Sequence, residues 1–260
     1  RYPEFISKSH LSYYQKNSGK FLKKAKVIAT VSEYSKKDIQ EKYRVDPAKI
    51  HVTYNAPNSL FQPLDYEERE AIKAKYSSGC EYFIYTGSIH PRKNAINLLK
   101  AFSRFKKRQQ SNMKLVFAGR LAWKTDEFTK LLSTFRFRND VILTGYLDKN
   151  ELAKLVASAY ALVYPSFFEG FGVPPLEALQ CGVPAIVSNN SAMPEVGGDA
   201  YLYIDPGNPD DIAEKLMLIY KDEALRSRLI ENGKKRLQLF SWDESAKKMW
   251  HCIELAASTE

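Results

Sequence analysis

Two glutamates, Glu169 and Glu177, bracket the run E-G-F-G-V-P-P-L-E inside Tyr164–Glu177. Gly170 and Gly172 permit φ > 0 and a close approach of backbone to a ligand, while Pro174 and Pro175 fit the first turn of a helix continuing through Leu176–Gln180. The open N–H groups and positive dipole end of such a helix attract an anion, and phosphate is the commonest anion met there. A second stretch, Gly87-Ser88-Ile89-His90-Pro91-Arg92-Lys93-Asn94, offers a diphosphate two cations, Arg as a fork and Lys as a point charge. It is not a P-loop, which needs G-x-x-x-x-G-K-[ST], and it lacks the G-x-G-x-x-G of nicotinamide binders. Singly, Glu177 reads as a carboxylate well placed near a helix start, Glu169 as a solvated loop residue, and Arg92 and Lys93 as exposed basic residues. Together, two carboxylates and two cations suit a ligand that is both phosphorylated and rich in hydroxyls, as a nucleotide sugar is.

The elements that must position these residues follow from periodicity. Short apolar strands are predicted at 82–86, 114–118, 140–143, 161–164 and 184–188, separated by helices at 95–109, 127–135, 150–158 and 174–180. Strands this short and apolar, alternating with helices, predict an α/β doubly wound parallel sheet covered on both faces, whose ligands bind at the carboxyl ends of the strands. Gly87, Gly119, Gly145 and the 165–173 loop each follow a strand and are expected along one sheet edge. Upstream, a helix over 7–26, strands at 26–31 and 50–54, and a helix over 33–43 capped by Ser32 make a β-α-β unit. Residues 55–63 read as a linker because Pro57, Pro63 and the asparagines interrupt both periods. Three helices close the chain, at 209–220, 223–239 and 242–255, the last with Ser241 and Glu244 spaced as a capping box.

Composition limits what the ligand's partners can be. The chain of 260 residues carries a net charge of +9. Residues 1–60 hold 12 basic and 5 acidic groups, residues 61–150 hold 17 and 9, and residues 151–260 hold 10 and 16. The basic first half reads as a solvated surface plus a phosphate site; the aromatic signatures of RNA modules and a zinc-finger spacing are absent, so no nucleic-acid partner is expected. Cys80, Cys181 and Cys252 are widely spaced and suggest neither a disulfide framework nor a metal site. No apolar run approaches the ~20 residues that span a bilayer. The expected location is the cytoplasm, with room for peripheral contact at the inner face of a membrane.

G-S-I-H-P-R-K-N, E-G-F-G-V-P-P-L-E, C-G-V-P-A-I-V-S-N-N-S-A-M-P-E-V-G-G-D-A and F-S-W-D-E-S-A together resemble the C-terminal domain of retaining GT-B glycosyltransferases of family 4, over roughly residues 80–250. The glutamates keep that family's E-x7-E spacing. The resemblance implies hexosyl transfer, mannose-like, from a GDP- or UDP-linked sugar to a glycan or lipid-linked acceptor, with retention at the anomeric carbon. It implies that Glu169 meets donor sugar hydroxyls, that Glu177 binds ribose hydroxyls, and that Phe171, Gly172 and Val173 supply backbone contacts to sugar and phosphate. It further implies that Gly87 and Ser88 line the donor site and that Arg92 and Lys93 neutralise the departing diphosphate. Many members carry Arg directly after the glycine matching Gly87; Ser88 stands here, which shifts more of the cationic role to Arg92. No D-x-D pair occurs, so neither a metal nor another cofactor is expected.

The same resemblance divides the chain into residues 1–63, the C-terminal portion of an acceptor-binding Rossmann domain with its linker; 64–240, the nucleotide-sugar domain; and 241–260, a helix returning to the first domain. Two rivals stay open at this stage. A nucleotide-binding module without turnover would share the donor site, and a dinucleotide-dependent oxidoreductase would share the fold but lacks its glycine fingerprint.

Overall fold

The computed structural model describes residues 2–122 and 124–258; the ends of the 1–63 and 241–260 segments, residues 1, 259 and 260, lie outside them. The chain forms two compact units, Arg1–Ala56 with Phe240–Glu260, and Pro57–Leu239. The division at Ala56/Pro57 falls earlier than residue 63, within the proline-interrupted stretch.

In the first unit, α1 (Lys8–Lys24), β1 (Ile28–Thr30), α2 (Glu33–Tyr43) and β2 (Ile50–Val52) follow in order. The two strands pair in parallel, with Ile28 opposite Ile50. Ser32 caps α2 by accepting from Ser35 N. The core is small, Ile28, Val45 and Ile50, with Leu22, Ile39 and Tyr43 packed against it. The last helix, Trp242–Ser258, joins this unit, burying Cys252 and bonding Ser245 Oγ to Tyr54 O.

The second unit opens with α3 (Tyr66–Ser77) and then alternates β3 (Tyr82–Thr86), α4 (Ala95–Gln109), β4 (Lys114–Ala118), α5 (Asp126–Ser133), β5 (Val141–Gly145), α6 (Lys149–Ala157), β6 (Ala161–Tyr164), α7 (Val173–Gln180), β7 (Ala185–Ser188), α8 (Met193–Gly197) and β8 (Tyr201–Ile204). Helices α9 (Pro209–Lys221) and α10 (Glu223–Leu237) precede the last helix, α11. All six strands are parallel, in the order β5-β4-β3-β6-β7-β8. Renumbered within the unit this is 3-2-1-4-5-6, the Rossmann order, and the strand direction of travel reverses between β3 and β6.

Period-2 alternation explains the two covered faces. Phe83, Tyr85, Leu115 and Phe117 share one core with Leu98, Leu99, Phe102 and Phe105 of α4 and Ile212, Leu216 and Ile219 of α9. Tyr82, on the opposite face, donates its hydroxyl to Leu155 O of α6 at 2.6 Å. A sheet buried on both sides cannot show a polar face, which is why these strands read as continuous apolar runs. Three of these elements had no sequence expectation: α3, capped by Asp65 but with only Ile72, Lys73 and Ser77 buried, the five-residue α8, and β8, the four-residue strand at the sheet's far end.

Candidate functional site

The loops after β3 and β6 flank the point where strand order reverses, the place where open α/β sheets form a crevice. They are joined by backbone, since Phe167 N donates to Arg92 O at 2.9 Å. Asn94, buried and left-handed at φ 61, reinforces that junction. Its Nδ2 donates to Pro165 O at 2.9 Å and Pro206 O at 2.7 Å. The first loop is shaped by a short turn over Pro91–Lys93, in which His90 Nδ1 accepts from Arg92 N at 3.2 Å. His90 is thus occupied as a cap.

Glu169, only 9% exposed, takes both cations of the first loop. Its Oε1 lies 2.7 Å from Arg92 Nη1 and 2.8 Å from Lys93 Nζ. The sequence reading of Glu169 as a solvated loop residue is therefore corrected. Arg92, 77 positions earlier in the chain, and its neighbour Lys93 converge on it, and burial without a partner would be costly for a carboxylate. Its backbone is held independently, Glu169 N donating to Ser191 Oγ at 3.1 Å and Glu169 O accepting from Ala192 N at 3.3 Å.

Lys93 has further partners. Its ammonium donates to the Tyr164 hydroxyl and lies 4.4 Å from that ring's centre. Burial pushes the Lys93 ammonium below its ordinary value, Glu169 opposes that, and Arg92 adds to it. Burial, and after it the charge of Glu169, pushes the Tyr164 phenol well up, so it stays a neutral partner. Arg92 also donates to Phe168 O.

The helix start after the second loop differs from the expectation in one respect. Gly172 caps α7 at φ 94, and a Cβ there would sit 2.2 Å from Met193 Cε, so only glycine fits without movement. Of the four positions whose N–H groups open this helix, Gly172 to Pro175, Pro174 and Pro175 have none, leaving Gly172 and Val173. The anion-attracting end is thus weaker than four donors would make it. Phe171 is buried.

Glu177 sits in the body of α7. Burial pushes its carboxyl up to about 7, against a backbone hydrogen bond from Asn58 and the charge of Lys149. Gln180 Nε2 donates to Asn58 O at 3.4 Å, tying the same helix to the segment after Pro57.

Gly87 and Ser88 belong to a neighbouring cavity of about 370 Å³, together with Gly119, Arg120, Tyr146 and Leu147. Its floor is glycine by necessity: a Cβ on Gly119 would lie 2.1 Å from Gly87 O. Gly119 and Gly145 bridge directly, bringing the turns after β3, β4 and β5 together. Tyr146 stands 80% exposed at this cavity. Sequence reasoning did not single out Tyr164, Asn94, Ser191 or Tyr146; only the exposed aromatic directly after the turn glycine Gly145 carried a readable signal. Among the described residues no group of His, Cys, Asp or Glu is arranged to hold a metal ion, and no helix is long and apolar enough to cross a membrane.

Comparison with known proteins gives this geometry a context. The chain is 33% identical over 254 residues to O-antigen chain mannosyltransferase B of Escherichia coli, covering 97% of this chain and 67% of that protein. It is also 33% identical over 214 residues to O-antigen chain mannosyltransferase RfbU of Salmonella typhimurium, covering 81% and 54%. This chain thus spans about half to two thirds of these relatives' lengths. Sucrose-phosphate synthase from Thermosynechococcus elongatus matches with a TM-score of 0.82 at 20% identity, over 99% of this chain and 65% of that one. Anabaena HepE, solved with UDP and glucose, matches with a TM-score of 0.81 at 16% identity, over 98% and 68%. At such identities these two show the fold, that of GT-B glycosyltransferases. The description of glycosyl transferases group 1 matches residues 68–236, a span that contains both loops at the strand-order reversal, and the chain belongs to that family.

Proposed function

We propose that this chain carries the donor half of a retaining GT-B glycosyltransferase of family 4, moving a hexose, mannose by analogy with its O-antigen relatives, from a GDP- or UDP-linked donor to a glycan or lipid-linked acceptor. The observation that carries the reading is the convergence of Arg92 and Lys93 on Glu169, at 2.7 and 2.8 Å from its Oε1, at the strand-order reversal. Two cations beside a carboxylate match a ligand that presents a diphosphate next to sugar hydroxyls.

In this reading the diphosphate lies against Arg92 and Lys93. As the anomeric bond breaks, negative charge grows on the departing phosphate oxygen, and the fixed cations stabilise it, together with the backbone N–H of Val173 at the α7 start. Glu169 accepts hydrogen bonds from donor sugar hydroxyls and Glu177 from ribose hydroxyls, while the backbone of Phe171 and Gly172 lines the sugar. The cavity of Gly87, Ser88, Gly119, Tyr146 and Leu147 receives the nucleobase. The cations take the role that a metal would otherwise fill. The location proposed is the cytoplasm, at the inner face of the membrane when the acceptor is lipid-linked.

The test is a screen of GDP-, UDP- and ADP-sugars for hexosyl transfer, paired with Lys93→Ala. That variant should weaken nucleoside diphosphate binding about tenfold or more, the scale of one lost charge-assisted contact of ~1.5–3 kcal/mol, while free nucleoside binding stays the same. Equal losses for both ligands would refute the diphosphate role.

A further inference from the structure

We infer that Glu169 is a specificity-determining counterion: it makes the site favour the intact donor, a nucleoside diphosphate sugar, over the free nucleoside diphosphate. The inference rests on the donor-site reading above and goes beyond it, because it assigns Glu169 a role toward a ligand that has no sugar at all.

The physical basis is the shared oxygen. Arg92 Nη1 and Lys93 Nζ both close on Glu169 Oε1, at 2.7 and 2.8 Å. The carboxylate is 11% exposed, Lys93 15% and Arg92 33%, so the pairs are poorly screened by water. The two cations that must meet a diphosphate therefore already share one counter-charge in the absence of any ligand, which leaves the cluster at +1 rather than +2. An incoming diphosphate replaces Glu169 on them, and the displaced carboxylate has to find other donors in a confined place. Its backbone stays pinned by Ser191 and Ala192, so the side chain cannot leave with the loop.

A free nucleoside diphosphate offers the displaced carboxylate nothing and adds like charge beside it. A nucleoside diphosphate sugar brings hydroxyls, each a donor that the carboxylate accepts. The intact donor thus repairs the contact it breaks, whereas the product does not. After transfer, the loss of the sugar hydroxyls returns Glu169 to Arg92 and Lys93 and helps expel the diphosphate. Lys93 keeps its contacts with the Tyr164 hydroxyl and ring face through the exchange.

Calorimetric titration of the full chain with GDP and GDP-mannose, and with UDP and UDP-glucose, tests this. Glu169→Gln keeps the side chain's shape and removes its charge. It should bind the free diphosphate about three- to tenfold more tightly than wild type, and bind the sugar nucleotide no better, so that the preference between the two shrinks or reverses. The salt dependence of diphosphate affinity should steepen, because the cations would then be unpaired before binding. Glu169→Asp, which keeps the charge but withdraws it by one methylene, should fall between the two, and guards against misfolding of the first variant. Unchanged or weaker diphosphate binding in folded Glu169→Gln or Glu169→Asp would overturn the inference while leaving the donor site standing. Failure of wild type to bind any of the four ligands would overturn both readings.

Discussion

At the scale of single residues, the site is a set of charges whose states depend on burial. Tyr164 shows this by supporting Lys93 in two ways, through a hydroxyl bond and through its ring face. Tyr164→Phe keeps the ring and removes the bond. With hydrogen bonds to charged groups worth ~1.5–3 kcal/mol, kcat/KM for the donor should fall about tenfold, and an unchanged value in steady-state kinetics would show that Lys93 is held without it. Glu177 carries the opposite consequence of burial. Its carboxyl is raised from 4.5 to about 7, so the folded state binds a proton that the unfolded state releases in that window. The stability this contributes is complete below about 4.5 and declines as pH rises towards about 7, by at most roughly 3 kcal/mol at ~1.4 kcal/mol per unit. Nucleotide affinity should move the other way, since the ionised form accepts ribose hydroxyls. Glu177→Gln should flatten both profiles between pH 5 and 8, read by thermal unfolding and by titration calorimetry.

At the scale of elements, the donor crevice depends on turns that approach each other without side chains. Gly119 closes directly on the carbonyl of Gly87, so that a Cβ there would meet backbone at 2.1 Å. At Gly172 the obstructing atom is instead the flexible end of Met193. Gly119→Ala should therefore be the more damaging of the two, lowering stability by about 2–4 kcal/mol because the β3 and β4 turns must separate. Chemical denaturation reads the loss, and a smaller cost than that of Gly172→Ala would show that these turns are more compliant than their spacing implies. Helices meet under the same rule: Gly233 of α10 lets that helix lie on Leu179 of α7, where a Cβ would come within 2.9 Å of Leu179 Cδ2. That contact presses α7, and Glu177 with it, onto the sheet.

At the scale of the whole molecule, Pro57–Leu239 holds all six strands of the large sheet, both site loops and an extensive core of its own. Produced alone, residues 57–239 should melt cooperatively and bind GDP or UDP within about threefold of the full chain, as an independent domain does. Circular dichroism and calorimetry check this, and a loss beyond about tenfold would show that residues outside 57–239 complete the nucleotide site. The unit's Rossmann strand order places the loops after β3 and β6 side by side, although Arg92 and Glu169 are 77 positions apart in the chain.

Much of this was legible from residue order. Strands 82–86, 114–118 and 161–164 and the helix 95–109 have the predicted limits, because runs such as Y-F-I-Y-T are apolar on both faces and α4 repeats its apolar residues at helical spacing. The glycines and acids of 164–177 marked the site region for the same local reason, that turn and helix-start chemistry is written in neighbouring residues. Helix α3 escaped because it buries little and rests on its Asp65 cap, and β8 because its four residues are half covered. Tertiary structure alone decided who partners whom. That Glu169 holds Arg92 and Lys93, that Tyr164 supports the second of them and that Glu177 titrates near 7 all depend on burial and on distances across the sheet, quantities that residue order does not contain.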